Sequence, residues 1–194
     1  MSTNEPEKIA LIDLDGTLVD YDLAMRTQLQ LLAAPGEVLA EDIYEDKNNS
    51  EHIANRMSLI KRTPGFWRSL PRIDTGMLVY DLLGQLGYRR MILTKGPKRT
   101  TAAWTEKMDW CRQNVLDADV TITQDKGLVY GKVLFDDYPP YIARWLEWRP
   151  RGKVIMLDTV YNKGAYEGDP RVLRIRRGSF HEITEPAIRT FLEG

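Results

Sequence analysis

Two aspartates one residue apart, Asp13 and Asp15, are followed at once by Gly16 and Thr17 in the run Ile12-Asp13-Leu14-Asp15-Gly16-Thr17. Carboxylates held around a tight turn offer hard oxygen ligands of the kind that suit Mg²⁺, which takes one or two protein carboxylates and keeps several waters. Taken alone, the run reads better as an Asp-Gly turn whose acids cap the next helix. A second acidic pair, Asp136-Asp137, ends the apolar run Lys132-Val133-Leu134-Phe135, and Thr94 ends another, Met91-Ile92-Leu93-Thr94. Lys126 lies in the connection before the second pair, where it can meet a phosphate as a point charge; in isolation it would be a surface lysine. Acids, hydroxyl and ammonium converging on one edge describe an electrostatic clamp for phosphoryl transfer.

Such convergence needs strands that end together. The segment Lys8 to Leu14 is short, apolar and bounded by charge and Gly16, which predicts a buried strand of a parallel sheet. Similar runs recur at Arg90 to Thr94, Asp119 to Thr123, Lys132 to Phe135 and Lys153 to Leu157. Between them, Thr75 to Leu86, Thr100 to Val115 and Pro139 to Trp148 carry apolar residues at helical spacing. Alternating signals of this kind predict an α/β fold, a doubly wound, mostly parallel Rossmann-like sheet. Residues 22–74 break the alternation, with helical patterns around Leu23 to Leu32 and Ser50 to Lys61. They read as a small helical cap inserted after the first strand, with 1–21 and 75–194 forming the core and the cap standing over the strands' carboxyl ends.

Composition excludes several classes. With 194 residues, 43% hydrophobic and 28% charged, the chain fits one packed globular domain with a modest insertion. Its net charge of −1 gives no global field for nucleic acid or an anionic membrane, so an anion site must be local. The single cysteine, Cys111, forms no internal disulfide, and the two histidines give no zinc-type cluster. No apolar stretch reaches the roughly 18 residues of a membrane span, and residues 1–7 do not form a signal peptide. A cytoplasmic, soluble protein is expected, and a homodimer is left open. Lys98-Arg99 and Arg174 to Arg177 read as solvated basic faces, and Trp104, Trp110, Trp145 and Trp148 as core residues in helices.

In order along the chain, DLDGTLVD, MILT, Lys126 and LFDD resemble the four motifs of the haloacid dehalogenase-like (HAD) superfamily. The stretch TQDKGLVYGKVLFDD, and MLDTVYN after it, are similar to the 5'(3')-deoxyribonucleotidases within that superfamily. The resemblance implies a Mg²⁺-dependent phosphomonoesterase. Asp13 would be nucleophile and metal ligand, and Asp15 general acid and base with its carbonyl on the metal. Asp137 would be the remaining carboxylate ligand with Asp136 beside it, Thr94 would bind a phosphate oxygen, and Lys126 would neutralise the phosphate. Tyr21 falls where the family stacks an aromatic on the base, and Phe66 and Trp67 resemble its aromatic segment; core packing is the equal alternative for each. The chain departs from the family at Thr94-Lys95-Gly96-Pro97-Lys98, where the threonine is ordinarily followed by serine and proline. Lys95 thereby joins the candidate substrate contacts for a more anionic ligand. The expected partner is a small phosphorylated metabolite, foremost a deoxyribonucleoside 5'-monophosphate. A sugar phosphate, a polynucleotide 3'-phosphate and a non-catalytic phospho-ligand binding role on the same fold are the alternatives.

Overall fold

The computed structural model describes residues 7–45, 50–98, 100–178 and 180–193. Six parallel strands form one sheet: β1 (Ile9–Ile12), β2 (Arg89–Lys95), β3 (Asp119–Thr123), β4 (Val133–Phe135), β5 (Lys153–Leu157) and β6 (Val172–Ile175), in the order β3-β2-β1-β4-β5-β6. The helices are α1 (Tyr21–Leu31), α2 (Glu51–Ile60), α3 (Asp74–Gln85), α4 (Ala102–Asn114), α5 (Pro139–Glu147) and α6 (Glu185–Glu193).

Alternation along each strand sends apolar side chains to both faces, so each face must be covered. Leu11, Leu93, Leu134 and Met156 meet Ile142 and Trp145 of α5 on one side. Ala10, Ile12, Ile92, Phe135 and Leu157 join the larger core on the other. The chain runs outward from β1 to β2 and β3, then returns to place β4 on the other flank of β1. Strand order therefore reverses at β1 and β4, and open α/β sheets bind ligands beyond the carboxyl ends of strands at such a switch.

The expected strands from β1 to β5 are present within a residue or two of their anticipated ends. β6 was not anticipated. Its short run Val172-Leu173-Arg174-Ile175 carries an arginine, and this charge conceals an edge strand. The basic stretch read as a solvated face is therefore corrected in part. The Arg174 guanidinium donates to the carbonyls of Asn162 (3.0 Å) and Ala165 (2.5 Å) and pairs with Asp158 at 2.7 Å. Arg177 pairs with Asp20 at 2.5 Å, while Arg176 is exposed. Arg99 lies outside the described residues. Trp110 and Trp145 are core, but Trp104 and Trp148 are exposed. Trp104 lies on the surface against Gly96 with its indole N–H on the Pro97 carbonyl (3.0 Å), and Trp148 sits at the carboxyl cap of α5.

Between β1 and α3 the chain makes α1 and α2, whose buried Met25 and Leu29, and Ile53 and Met57, enter the larger core. Asp20 caps α1 by accepting the Leu23 N–H at 3.0 Å. The exit and return of this excursion are tied together: Asp20 N–H donates to Pro71 O and Ile73 N–H to Leu18 O, each at 2.8 Å. No helix among the described residues is long and apolar enough to cross a membrane.

Candidate active site

Asp13 leaves β1 with its N–H on the Phe135 carbonyl at the end of β4 at 2.8 Å, which carries the pairing one residue past β1. The chain then turns at Gly16, where φ is +82° and a Cβ would lie 2.2 Å from Asp137 Oδ2. Glycine is required there twice over, by the backbone and by the approach of the aspartate pair. The Thr17 hydroxyl donates to Asp137 Oδ1 at 3.0 Å, so both acidic motifs are bound together. Asn162 fixes the second pair from below, its amide donating to the carbonyls of Asp137 (2.8 Å) and Leu157 (2.9 Å).

Lys126 opens a short 3₁₀ turn, Lys126–Leu128, which Asp125 caps by accepting the Gly127 N–H at 2.9 Å. Arg144 of α5 holds Asp125 at 3.0 Å. The Lys126 ammonium is buried between Asp13 Oδ1 (2.7 Å) and Asp136 Oδ2 (2.6 Å), over the Tyr141 ring. Burial pulls its pKa down, yet Asp13 and Asp136 together outweigh that and raise it, so it stays charged. Asp136 is pushed up to about 6, burial outweighing the pull of Lys126. Burial also drives Asp137 well above the usual carboxylate range, reinforced by Asp136 and Asp13 and opposed by hydrogen bonds from Tyr161 and Thr17.

Carboxylate oxygens of Asp13, Asp136 and Asp137 lie within 4.8 Å of one another, all buried. Lys126 offsets only part of that charge, and an all-oxygen cluster with excess negative charge is what a hard divalent cation requires. The donor set therefore fits a divalent metal.

Asp15 points the other way. Its carboxylate meets the ammonium of Lys107, which also donates to Thr94 Oγ1 (3.0 Å) and Lys95 O (3.1 Å). Burial raises the Asp15 pKa, with Lys107 pulling against it, and Asp15 Oδ1 is buried without a hydrogen-bond partner.

Asp13, Asp15 and Asp137 open onto a cavity of about 700 Å³. Lys95, Lys98 and Gln124 form part of its wall, and Tyr44, Tyr138, Tyr141 and Tyr161 the rest. Of the aromatics anticipated from the sequence, Tyr21, Phe66 and Trp67 are not among the lining residues. They are buried against one another, Tyr21 stacked on Trp67 at 5.6 Å and Phe66 edge-on to Trp67 at 5.3 Å. The structure thus brings Asp13, Asp15, Thr94, Lys95, Lys126, Asp136 and Asp137 together and packs the aromatic trio behind them, Trp67 under Lys107 at 4.8 Å.

The profile of the family described as 5' nucleotidase, deoxy (pyrimidine), cytosolic type C protein (NT5C) matches residues 7–173, a span that includes all of these groups. The chain belongs to this nucleotidase family. A Bordetella pertussis protein provisionally named a 5'(3')-deoxyribonucleotidase is 28% identical over 163 residues, covering 80% of this chain and 86% of the relative. A HAD hydrolase of family IA from Entamoeba histolytica superposes with a TM-score of 0.57 at 17% identity, covering 96% of this chain and 100% of that one. A Bacillus subtilis chain provisionally named a HAD-hydrolase and solved with magnesium gives 0.51 at 14%, covering 89% and 94%. The fold is HAD-like, and this nucleotidase-family chain is a phosphoric monoester hydrolase.

Sequence reasoning missed Lys107 in this nucleotidase-family chain, although the signal was there. The buried positions of α4 are Ala103, Glu106, Lys107, Trp110 and Cys111, an apolar stripe at helical spacing interrupted by two charges. Charges on a buried stripe demand partners. Glu106 accepts the N–H groups of Gly65 (2.6 Å) and Trp67 (3.0 Å), and Lys107 takes Asp15. Tyr161 was also missed; its hydroxyl donates to Asp137 Oδ2 and its ring meets Tyr44 edge-on at 5.4 Å. Cys111 is buried, and burial pushes its thiol up to about 11, as expected for an unreactive cysteine.

Proposed function

We propose that the chain is a Mg²⁺-dependent phosphomonoesterase acting on a nucleoside 5'-monophosphate, foremost a deoxyribonucleotide, through an aspartyl-phosphate on Asp13. The observation that carries this reading is the 2.7 Å contact of Asp13 Oδ1 with buried Lys126, beside the Asp136-Asp137 pair and open to a cavity. Asp13, Asp137 and the Asp15 carbonyl would hold the metal, with Asp136, bound to Lys126, beside them. When bound, Mg²⁺ would offset the charge of an incoming phosphate dianion and of the carboxylates around it.

Lys126, in contact with Asp13, offsets its charge and binds the phosphate, since an aspartate approaching a dianion is otherwise repelled. Asp13 attacks phosphorus in line while Asp15 gives its proton to the leaving alkoxide. The ionised Asp15, held by Lys107, then takes a proton from the water that hydrolyses the acyl phosphate, so one residue serves as acid and then base. Thr94, accepting from Lys107, is free to donate its hydroxyl proton to a phosphate oxygen.

The leaving group would lie among the cavity tyrosines, beside Lys95 and Lys98, rather than against Tyr21, Phe66 and Trp67 in their packed arrangement. Residues 22–74 would act as the cap, with Tyr44 as its contribution to the wall. Purified Asp13→Asn should fold normally and release no phosphate from a panel of deoxynucleotides with Mg²⁺; normal turnover by that variant would refute the assignment. In the wild type, metal-dependent turnover of sugar phosphates in preference to nucleotides would keep the chemistry and reject the substrate.

A further inference from the structure

At the opposite edge of the sheet, beside the first residues of β4 and β5, lies a second cavity, of about 820 Å³. Its wall is of one sign: Lys8, Lys132, Arg149, Arg151 and Lys153 line it, and no carboxylate does. The neighbouring Arg89 and Arg144 are each paired with acids. Among the described residues, none of the cavity's cations has such a partner within ion-pair distance. Lys153 donates to the Phe191 carbonyl at 2.5 Å and Arg149 Nη1 to the Trp148 carbonyl at 3.2 Å, while Arg149 Nε is buried with no partner.

Overall charge does not explain this concentration, because the chain carries −1 in total. Helix dipoles do not either: α3, α5 and α6 end near this edge, and each helix carboxyl end is equivalent to only about −0.5 charge against five cations. A positive excess remains and calls for an anion. The same wall holds flat apolar faces, Tyr88, Tyr130 and Trp148, with Trp148 57% exposed although it is one of the largest apolar side chains in the protein. Arg149 lies over Tyr130 at 5.8 Å and Lys8 over Tyr88 at 5.9 Å, so cation and ring are presented side by side. A volume of this size falls within the roughly 300–1,000 Å³ of small-molecule sites.

We propose that this cavity binds a nucleoside polyphosphate, with the phosphates on Lys132, Arg149 and Arg151 and the base against Trp148. A bare polyphosphate leaves the exposed rings without a role, and a nucleoside leaves the cations without one. The site is separate from the active-site cavity, since β4 and β5 begin at one and end at the other. It does not depend on the phosphatase reading.

The test is calorimetric titration of the full chain with dATP in EDTA, which removes divalent metal and stops turnover, followed in parallel by quenching of Trp148 fluorescence with Trp148→Phe as the control. The expected result is saturable binding that is at least about tenfold weaker in Lys132→Gln/Arg151→Gln and unchanged in Lys98→Gln at the active-site cavity. Circular dichroism melts of both variants, expected to match wild type because Arg151 and Lys98 are exposed and half-buried Lys132 makes no ion pair among the described residues, separate lost binding from lost fold. Tripolyphosphate and deoxyadenosine should each bind more weakly than dATP. No saturable binding, the reverse response of the two variants, or tripolyphosphate binding as tightly as dATP would overturn the proposal.

Discussion

Lys107 and Asp15 lie 92 residues apart in the chain and in direct ion-pair contact in the fold. That contact links α4 to the loop after β1, and it is the interaction that ties the proposed acid and base to the rest of the protein. Lys107→Met preserves most of the volume and removes the charge. Without its cation, the Asp15 carboxyl, already raised by burial, should rise further. If Asp15 must be protonated to start the reaction, the alkaline limb of kcat/KM should move to higher pH, while kcat falls because the ionised base is no longer held. Stability should drop by about 2–3 kcal/mol, less than for a fully buried pair because the Asp15 side chain is 28% exposed. An unshifted pH profile would remove Asp15 from the role.

Tyr161 touches Asp137 without being a candidate ligand itself. Groups that hydrogen-bond to metal ligands typically change affinity by about 10–100-fold when lost. Tyr161→Phe should therefore weaken Mg²⁺ binding about tenfold by calorimetry with little effect on the melting temperature. Equal affinity in the two proteins would mean that Asp137 is oriented by Thr17 and Asn162 alone.

Glu106 anchors the segment carrying Phe66 and Trp67 to α4. Glu106→Ala leaves two N–H groups unpaired, and each buried unsatisfied group costs roughly 1–3 kcal/mol. The urea midpoint should fall by a corresponding amount. A variant as stable as wild type would show that the segment is held by aromatic packing alone.

Asp22 lies in a charged recess beside Asp20 and Asp42. Burial first, and those neighbours second, push its carboxyl up to about 6, with Arg177 and Arg26 opposing. A carboxyl raised in the folded state binds more protons there than when unfolded, so stability is lost as pH rises from about 4 towards 6 and stays lost above. Asp22→Asn should be more stable than wild type by about 1–3 kcal/mol at pH 7, allowing for partial exposure, and indistinguishable from it below pH 4. Paired melts at the two pH values decide it, and a neutral-pH variant no more stable than wild type would contradict the raised value.

The candidate site was legible in the sequence to the extent that its groups stand at strand ends. Asp13, Thr94 and Asp136-Asp137 each terminate an apolar run, and such runs are the clearest secondary-structure signal in a parallel sheet. Lys107 and Tyr161 lie elsewhere, one on a helix face and one in a 3₁₀ turn, where local pattern does not say what a side chain reaches. The aromatic trio shows the opposite case. Tyr21, Phe66 and Trp67 are types that stack equally well on a base or on one another, and local sequence carries no information on which surface is available. β6 escaped for a third reason, since an arginine in an edge strand finds carbonyls and a carboxylate beyond the strand that only the tertiary fold supplies.

The central position of β1, flanked by β2 on one side and β4 on the other, also has a bearing on synthesis. A nascent chain emerges amino end first, so Asp13 and Asp15 leave the ribosome early and β1 can pair first only with β2, which in turn pairs with β3. Lys126, Asp136 and Asp137 follow more than a hundred residues later, and only then can Asp13 donate its N–H to Phe135 and find its ammonium partner. Until that second half docks, Asp15 can already meet Lys107, but Asp13 lacks both its ammonium partner and the second acidic pair. The ammonium beside Asp13 and the three carboxylates of the candidate metal cluster therefore meet only in the completed sheet.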